Sequence, residues 1–316
     1  MRIVFCGTPA FAVPTLRALL ANPEFTVEAV VTQPDRPRGR GQQVSASPVK
    51  EVAAAAGVRI YQPERVKSDE AHEFFAAIKP DAAIIIAYGQ IVPRRLLEIP
   101  VLGWMNLHGS LLPKYRGAAP IAWAIINGES KTGLTTMRLD PGLDTGPILL
   151  QRELEIGSDE TAPELARRMA EMGAPLVMES LVKLERGEIA PVPQDSTRAS
   201  YAPILTKEHG RIGWGQTPSE IYNRIRGLAP WPGAFTIFRG RLCHIWGRPS
   251  APGARSIAGI GPEPGSIILS DAAIEVVCGK GARLHLEAVQ IEGRKRISAR
   301  EFANGARLQS GERFGA

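Results

Sequence analysis

Along the first half of the chain, continuous apolar runs of strand length alternate with segments whose apolar residues recur every three or four positions. The runs are RIVFCG (2–7), FTVEAVVT (25–32), DAAIIIAYG (81–89) and GWMNLHG (103–109); the periodic segments include PTLRALLAN (14–22), SPVKEVAAAAG (47–57) and DEAHEFFAAIK (69–79). Runs without polar alternation predict strands buried on both faces, and helical spacing between them predicts a mostly parallel sheet covered by helices, a Rossmann-like α/β domain. Residues 161–187 predict a long helix broken or bent near Gly173 and Pro175 and closed by Gly187.

The pattern then changes. APVPQDSTRASYAP (190–203) is rich in Pro, Ser and Thr, which suits a linker. TPSEIYNRIRGL (217–228) predicts a short helix opened by a capping box, Thr217 with Glu220 three residues on. AFTIFRGRLCHIWG (234–247), GSIILSD (265–271), AIEVVCG (273–279) and RLHLEAVQ (283–290) are short, β-rich and separated by Gly-containing turns, which predicts a small OB-like β-barrel. The expected division is a first domain over 1–189, a linker over 190–207 and an OB-like domain over 208–316.

Composition supports two domains, since 316 residues at 44% hydrophobic supply ample core. The opening MRIVFCGTPAF has only a strand-length apolar run, so neither a secretory signal nor a membrane span is read there, and a cytoplasmic location is expected. Cys6, Cys243 and Cys278 are scattered without a CxxC pair, which indicates neither zinc nor a disulfide framework; each is expected to be a small buried hydrophobe. The net charge of +6 is unevenly placed: residues 1–207 hold 23 Lys/Arg against 23 Asp/Glu, and residues 208–316 hold 15 against 9. A basic C-terminal module follows, serving either solubility or polyanion binding.

The first turn, GTPAFAVP (7–14), joins a strand to a helix but lacks GxGxxG, and GxxxxGK[ST] is absent, so dinucleotide and P-loop readings lose their support. The informative chemistry lies in NLHGSLLP (106–113). Asn106 and His108, two apart on an extended segment, face the same way and can reach one carbonyl. Asn106 offers a neutral NH₂ where negative charge grows, and His108 takes up a proton near neutral pH. Asp144, in the Gly- and Pro-punctuated LDPGLDTGPI, follows after one helix and one strand of chain and can orient the imidazole. The trio suits acyl transfer to an amine, with no Ser or Cys nucleophile required.

NLHGSLLPKYRGAAP (106–120) with GLTTMRLDPGLDTGPIL (133–149) resembles the 10-formyltetrahydrofolate-dependent formyltransferase superfamily. The resemblance implies that Asn106, His108 and Asp144 are catalytic, that a substrate amine attacks the formyl group on folate N10, and that Ser110, Leu111, Leu112 and Pro113 line the folate site. No metal is expected. QPDRPRGRGQQVSASPVK (33–50) sets Arg36, Arg38 and Arg40 on a Gly-rich loop straight after the second strand and resembles the insertion loop of methionyl-tRNA formyltransferases, in which an arginine matching Arg40 contacts the initiator tRNA. GLAPWPGAF (227–235) fits that group too, although sugar formyltransferases carry something similar. The acceptor implied is the α-amino group of initiator methionyl-tRNA, with the chain acting as a monomer. Three rivals stand beside it: a sugar-nucleotide N-formyltransferase using the same folate donor, an RNA-binding protein without chemistry, and folate hydrolysis by water at the same site.

Overall fold

The structure, a computed structural model, describes residues 1–38, 43–250, 262–270, 273–309 and 311–315. Its contacts gather into two units. One comprises Met1–Pro120, Lys131–Glu155 and Glu164–Ala202; the other comprises Ile121–Ser130, Ile156–Pro163 and Pro203–Ala316.

In the first unit the apolar runs become strands β1 (Arg2–Gly7) and β2 (Thr26–Val31), which pair in parallel. A short antiparallel pair follows, β3 (Arg36–Arg38) with β4 (Gln43–Ser45). Next come β5 (Ile60–Tyr61), parallel to β2, then β6 (Ala82–Ile86), parallel to the other side of β1, and β7 (Trp104–His108), parallel to β6. Strands β8 (Lys131–Arg138) and β9 (Ile148–Glu155) extend the sheet in antiparallel fashion. Among the described residues the order is β5-β2-β1-β6-β7-β8-β9. The direction of strand addition reverses beside β1, so the carboxyl ends of β2, β1, β6 and β7 share one edge, the place where open α/β sheets bind ligands.

Helices α1 (Val13–Ala21), α2 (Pro48–Ala55), α3 (Asp69–Ile78) and the single turn α4 (Arg94–Leu97) connect these strands, while α5 (Pro120–Ile126) lies almost wholly in the second unit. Ser47 and Ser68 cap α2 and α3 by accepting from the N–H groups of Lys50 and Ala71. On one face of the sheet Val4, Cys6, Val31, Ile85 and Trp104 pack with Phe75 and Leu96. Trp104 satisfies its indole by donating to Leu96 O at 2.7 Å.

Helix α6 (Ala162–Glu185) is the expected long helix and excludes the break, since it continues for 24 residues through Gly173 and Pro175. Proline removes one helical hydrogen bond at a cost of about 3 kcal/mol. Burial of Leu165, Met169, Leu176, Val177 and Leu181 along the helix outweighs that cost. Gly173 has a packing reason: a Cβ there would stand 2.4 Å from Leu107 Cδ2 on β7.

The second unit joins α7 (Pro218–Gly227), strands β10 (Phe235–Phe238), β11 (Arg241–Pro249), β12 (Ile267–Leu269), β13 (Ile274–Val277), β14 (Arg283–Ile291) and β15 (Ile297–Ser298), and α8 (Ala299–Ala306). The Thr217–Glu220 capping box is present at α7. Pairing among the described residues is antiparallel in the order β10-β11-β14-β13-β12, with β15 on β14, and the end strands β10 and β12 are not paired to each other. Residues 312–315 run beside both ends: Ile267 N donates to Glu312 O, Phe314 N to Gly265 O and Gly315 N to Ile237 O. The core collects Ile221, Phe238, Ile245, Leu286, Phe302 and Phe314. Chain from earlier in the sequence completes it. Arg226 of α7 donates to the carbonyls of Gly157 and Glu160, and Gly227 meets α5 so closely that a Cβ would lie 2.9 Å from Ala122 O.

Cys6, Cys243 and Cys278 are all buried, and desolvation pushes each thiol upward, Cys243 and Cys278 to about 12. The folded protein should therefore resist iodoacetamide near neutral pH and label only on unfolding. Rapid stoichiometric labelling under native conditions would contradict this burial.

Candidate active site

Strand β7 divides its side chains between two environments. Leu107 points toward α6 and Gly173, so Trp104, Asn106 and His108 face the other way by the two-residue period of a strand. Trp104 closes the apolar core, and the polar site begins one step beyond it. Asn106 is half-buried, in register between Ile85 of β6 and Met137 of β8; His108, at the carboxyl end of the strand, is 5% exposed.

Asp144 reaches the same place from the loop between β8 and β9. That loop is tied internally, as Thr145 Oγ1 donates to both oxygens of Asp140 at 2.7 and 2.8 Å and Gly142 N donates to one of them at 3.0 Å. Asp144 itself holds a left-handed backbone, φ 51°. Its Oδ2 accepts from Gly117 N at 2.8 Å and lies 3.6 Å from His108 Nδ1, a charge contact rather than a hydrogen bond. The other ring nitrogen, Nε2, is 2.8 Å from Tyr115 O. A carbonyl only accepts, so Nε2 carries a proton. A protonated His108 thus finds an oxygen at each nitrogen, and the cation stands on the same strand face as the Asn106 amide. An amide donor and a cation on one face, backed by a carboxylate, can stabilise an oxyanion and relay a proton.

The 110–113 segment is held by groups that sequence reasoning missed. Thr135 Oγ1, fully buried on β8, donates to Ser110 O at 2.7 Å and accepts from Leu112 N at 3.1 Å and Gln151 Nε2 at 2.9 Å. Gln151 also donates to Leu112 O. Ser110 turns inward to Lys114 O, Leu112 is buried, and Leu111 and Pro113 stay half-buried. Leu111 rests over Gly133, where a Cβ would lie 2.6 Å from Arg152 O as well.

Residues 190–202, which their composition suits to a linker, are bonded into the first unit. Arg116 N donates to Ser200 O, Tyr115 N to Ser200 Oγ and Ala202 N to Arg116 O, and Val192 bridges Ile148. Gln194 connects Arg116 to the Asp144 loop. Spacing and periodicity carry no sign of these contacts.

Of the three loop arginines, Arg36 is exposed and only 3.9 Å from Glu64, and Arg38 contributes backbone to β3, paired with Gln43. Arg40 lies outside the described residues. The loop leaves the same sheet edge as His108, and its base is cinched by Thr32 Oγ1 against Ser47 Oγ at 2.7 Å and by Asp35 between Lys50 and Gln62. Among the described residues no group of three or more His, Cys, Asp or Glu is placed to hold a metal.

With this geometry in view, two family models match the chain: "Formyl transferase" over residues 1–181 and "Formyl transferase, C-terminal domain" over residues 204–307. A methionyl-tRNA formyltransferase of Solibacter usitatus is 52% identical over 315 residues, covering 100% of this chain and 99% of its own. One from Acidobacterium capsulatum is 49% identical with full coverage of both. The chain belongs to the methionyl-tRNA formyltransferase family. Solved formyltransferases share its fold at low identity. The sugar 3N-formyltransferase WlaRD, crystallised with dTDP and 5-N-formyl-THF, matches with a TM-score of 0.65 at 19% identity, covering 93% of this chain and 99% of that one. An N-formyltransferase from Helicobacter canadensis in complex with folinic acid and dTDP-3-aminofucose matches at 0.64 and 19%, covering 90% and 97%.

For this family member, Thr135→Val should destabilise the fold by about 1–3 kcal/mol, because the methyl is isosteric but strands buried partners. Thr135→Ser should restore most of it. Denaturant midpoints of the three proteins check the expectation; equal midpoints for wild type and Thr135→Val would refute it.

Proposed function

We propose that this chain transfers the formyl group of 10-formyltetrahydrofolate to the α-amino group of methionine on initiator tRNA. The observation carrying this reading is the convergence of β7 and the β8–β9 loop, which sets the Asp144 carboxylate 3.6 Å from the His108 imidazole on the strand face shared with Asn106. The amine attacks the formyl carbon. As its carbonyl oxygen gains negative charge, the Asn106 amide supplies a hydrogen-bond donor to it and protonated His108 supplies positive charge on the same strand face, while Asp144 steadies the imidazole and takes part in removing the proton the amine loses. Collapse of the tetrahedral species breaks the bond to folate N10, which leaves as the free secondary amine with a proton. An α-amino group titrates near pH ~8, so it needs little help to present its lone pair.

Ser110, Leu111, Leu112 and Pro113 form the folate-side wall in this reading, presenting a fixed backbone to a flat ligand. Arg36, Arg38 and Arg40 contact the acceptor arm through its phosphates. Residues 208–316, with 15 Lys/Arg against 9 Asp/Glu, act as an OB-like tRNA-binding domain whose sheet residues 312–315 help to close. The enzyme works as a cytoplasmic monomer. No helix among the described residues is long and apolar enough to cross a membrane.

Radiolabelled formyl transfer decides the matter, run in parallel on initiator methionyl-tRNA, elongator methionyl-tRNA and an amino-sugar nucleotide. Initiator methionyl-tRNA should be the preferred acceptor, and His108→Ala and Asp144→Asn should fold normally while losing about 10²- to 10⁴-fold in kcat. Transfer confined to the sugar, or an active double variant, would overturn the reading. Because phosphate contacts release counterions, kcat/KM for tRNA should fall steeply between about 50 and 200 mM salt. A flat salt profile would remove the arginine loop and basic domain from recognition.

A further inference from the structure

The Asp144 backbone is in the left-handed region, which costs a non-glycine residue about 1–2 kcal/mol and persists only where neighbours enforce it. The enforcing group comes from outside the loop. Gln194 Nε2 donates to Asp144 O at 2.9 Å and to Gly146 O at 2.7 Å, clamping the turn by which the chain leaves Asp144. Gln194 Oε1 accepts from Arg116 Nε at 3.0 Å and Nη2 at 2.8 Å. Arg116 is 3% exposed, and the next residue, Gly117, donates its N–H to Asp144 Oδ2. One carboxamide therefore links the backbone of Asp144 to the segment that binds the Asp144 carboxylate.

The orientation of that amide is dictated chemically. A guanidinium only donates, so it must face the Gln194 oxygen; two carbonyls only accept, so they must face the NH₂. No other side chain of this length has an acceptor at one side and two hydrogens at the other. We infer that Gln194 is a positioning residue for Asp144, holding the β8–β9 loop so that the carboxylate stays directed at His108. This rests on the catalytic assignment of Asp144 under the proposed function.

Two variants separate the role from simple packing. Gln194→Ala removes the link; Gln194→Glu keeps the length and the Arg116 contact but turns an oxygen toward two carbonyl oxygens. Both should lower kcat by about 10- to 100-fold, the scale of a displaced catalytic group. KM for the formyl donor and for methionyl-tRNA should stay within about threefold, since neither binding surface is touched. In an Asp144→Asn background, Gln194→Ala should cost little further, because its effect runs through the carboxylate already lost. Thermal melts accompany each protein, and if Gln194→Ala fails to fold, the near-isosteric Gln194→Glu decides alone. An active wild type with Gln194→Glu within about twofold of its kcat refutes the positioning role and leaves the functional reading intact. A loss that multiplies undiminished in the Asp144→Asn background refutes action through Asp144. A wild type unable to formylate methionyl-tRNA refutes both.

Discussion

A strand in the middle of a buried sheet must keep part of one face polar, and the rest of the first unit is arranged around that demand. β7 sits between β6 and β8, where apolar packing is most productive, yet Asn106 and His108 occupy two of its five positions. Burying such groups without partners costs several kcal/mol. The solution is positional: the polar pair lies at the carboxyl end of the strand, past Trp104, and His108 meets a backbone carbonyl on one side and a carboxylate on the other. Leu107 anchors the opposite face against α6, so the register that sends His108 to the site is the same register that fills the core. A one-residue slip would bury both polar groups against the helix.

Holding the carboxylate is a separate problem, because it arrives on a loop. Asp140, Thr145 and Gly142 stiffen that loop from within, while Gly117 and Gln194 fix it from outside. The buried Arg116 gains from the same arrangement. A desolvated guanidinium needs acceptors, and the Gln194 oxygen supplies one without adding a negative charge beside Asp144.

The parallel strands, the capped helices and the β-rich C-terminal third were readable from the chain because each depends on local periodicity and local capping. The shared face of Asn106 and His108 was readable for the same reason, since they lie two apart on one strand. The continuity of α6 was not, since a Pro and a Gly look like a break until Leu107 is seen to occupy the space above Gly173. Thr135, Gln151 and Gln194 were invisible for a deeper reason. Their partners lie 16 to 78 residues away, and nothing in their own neighbourhoods distinguishes them from ordinary strand or loop polar residues. The Pro-, Ser- and Thr-rich composition of 190–203 reports irregular backbone, and irregular backbone can be anchored as firmly as a strand when its N–H and C=O groups find long-range partners.

The second unit is not contiguous in sequence: α7 packs on residues 121–130, and Arg226 bonds carbonyls of residues 157 and 160. During synthesis those two stretches leave the ribosome long before the strands they complete, so they wait as unfinished pieces. Exchange of the C-terminal module between relatives by a single crossover near residue 203 would carry the strands but leave their supporting helix behind. Side-chain size on α5 and on α7 is thereby physically coupled, although the two helices lie far apart along the chain.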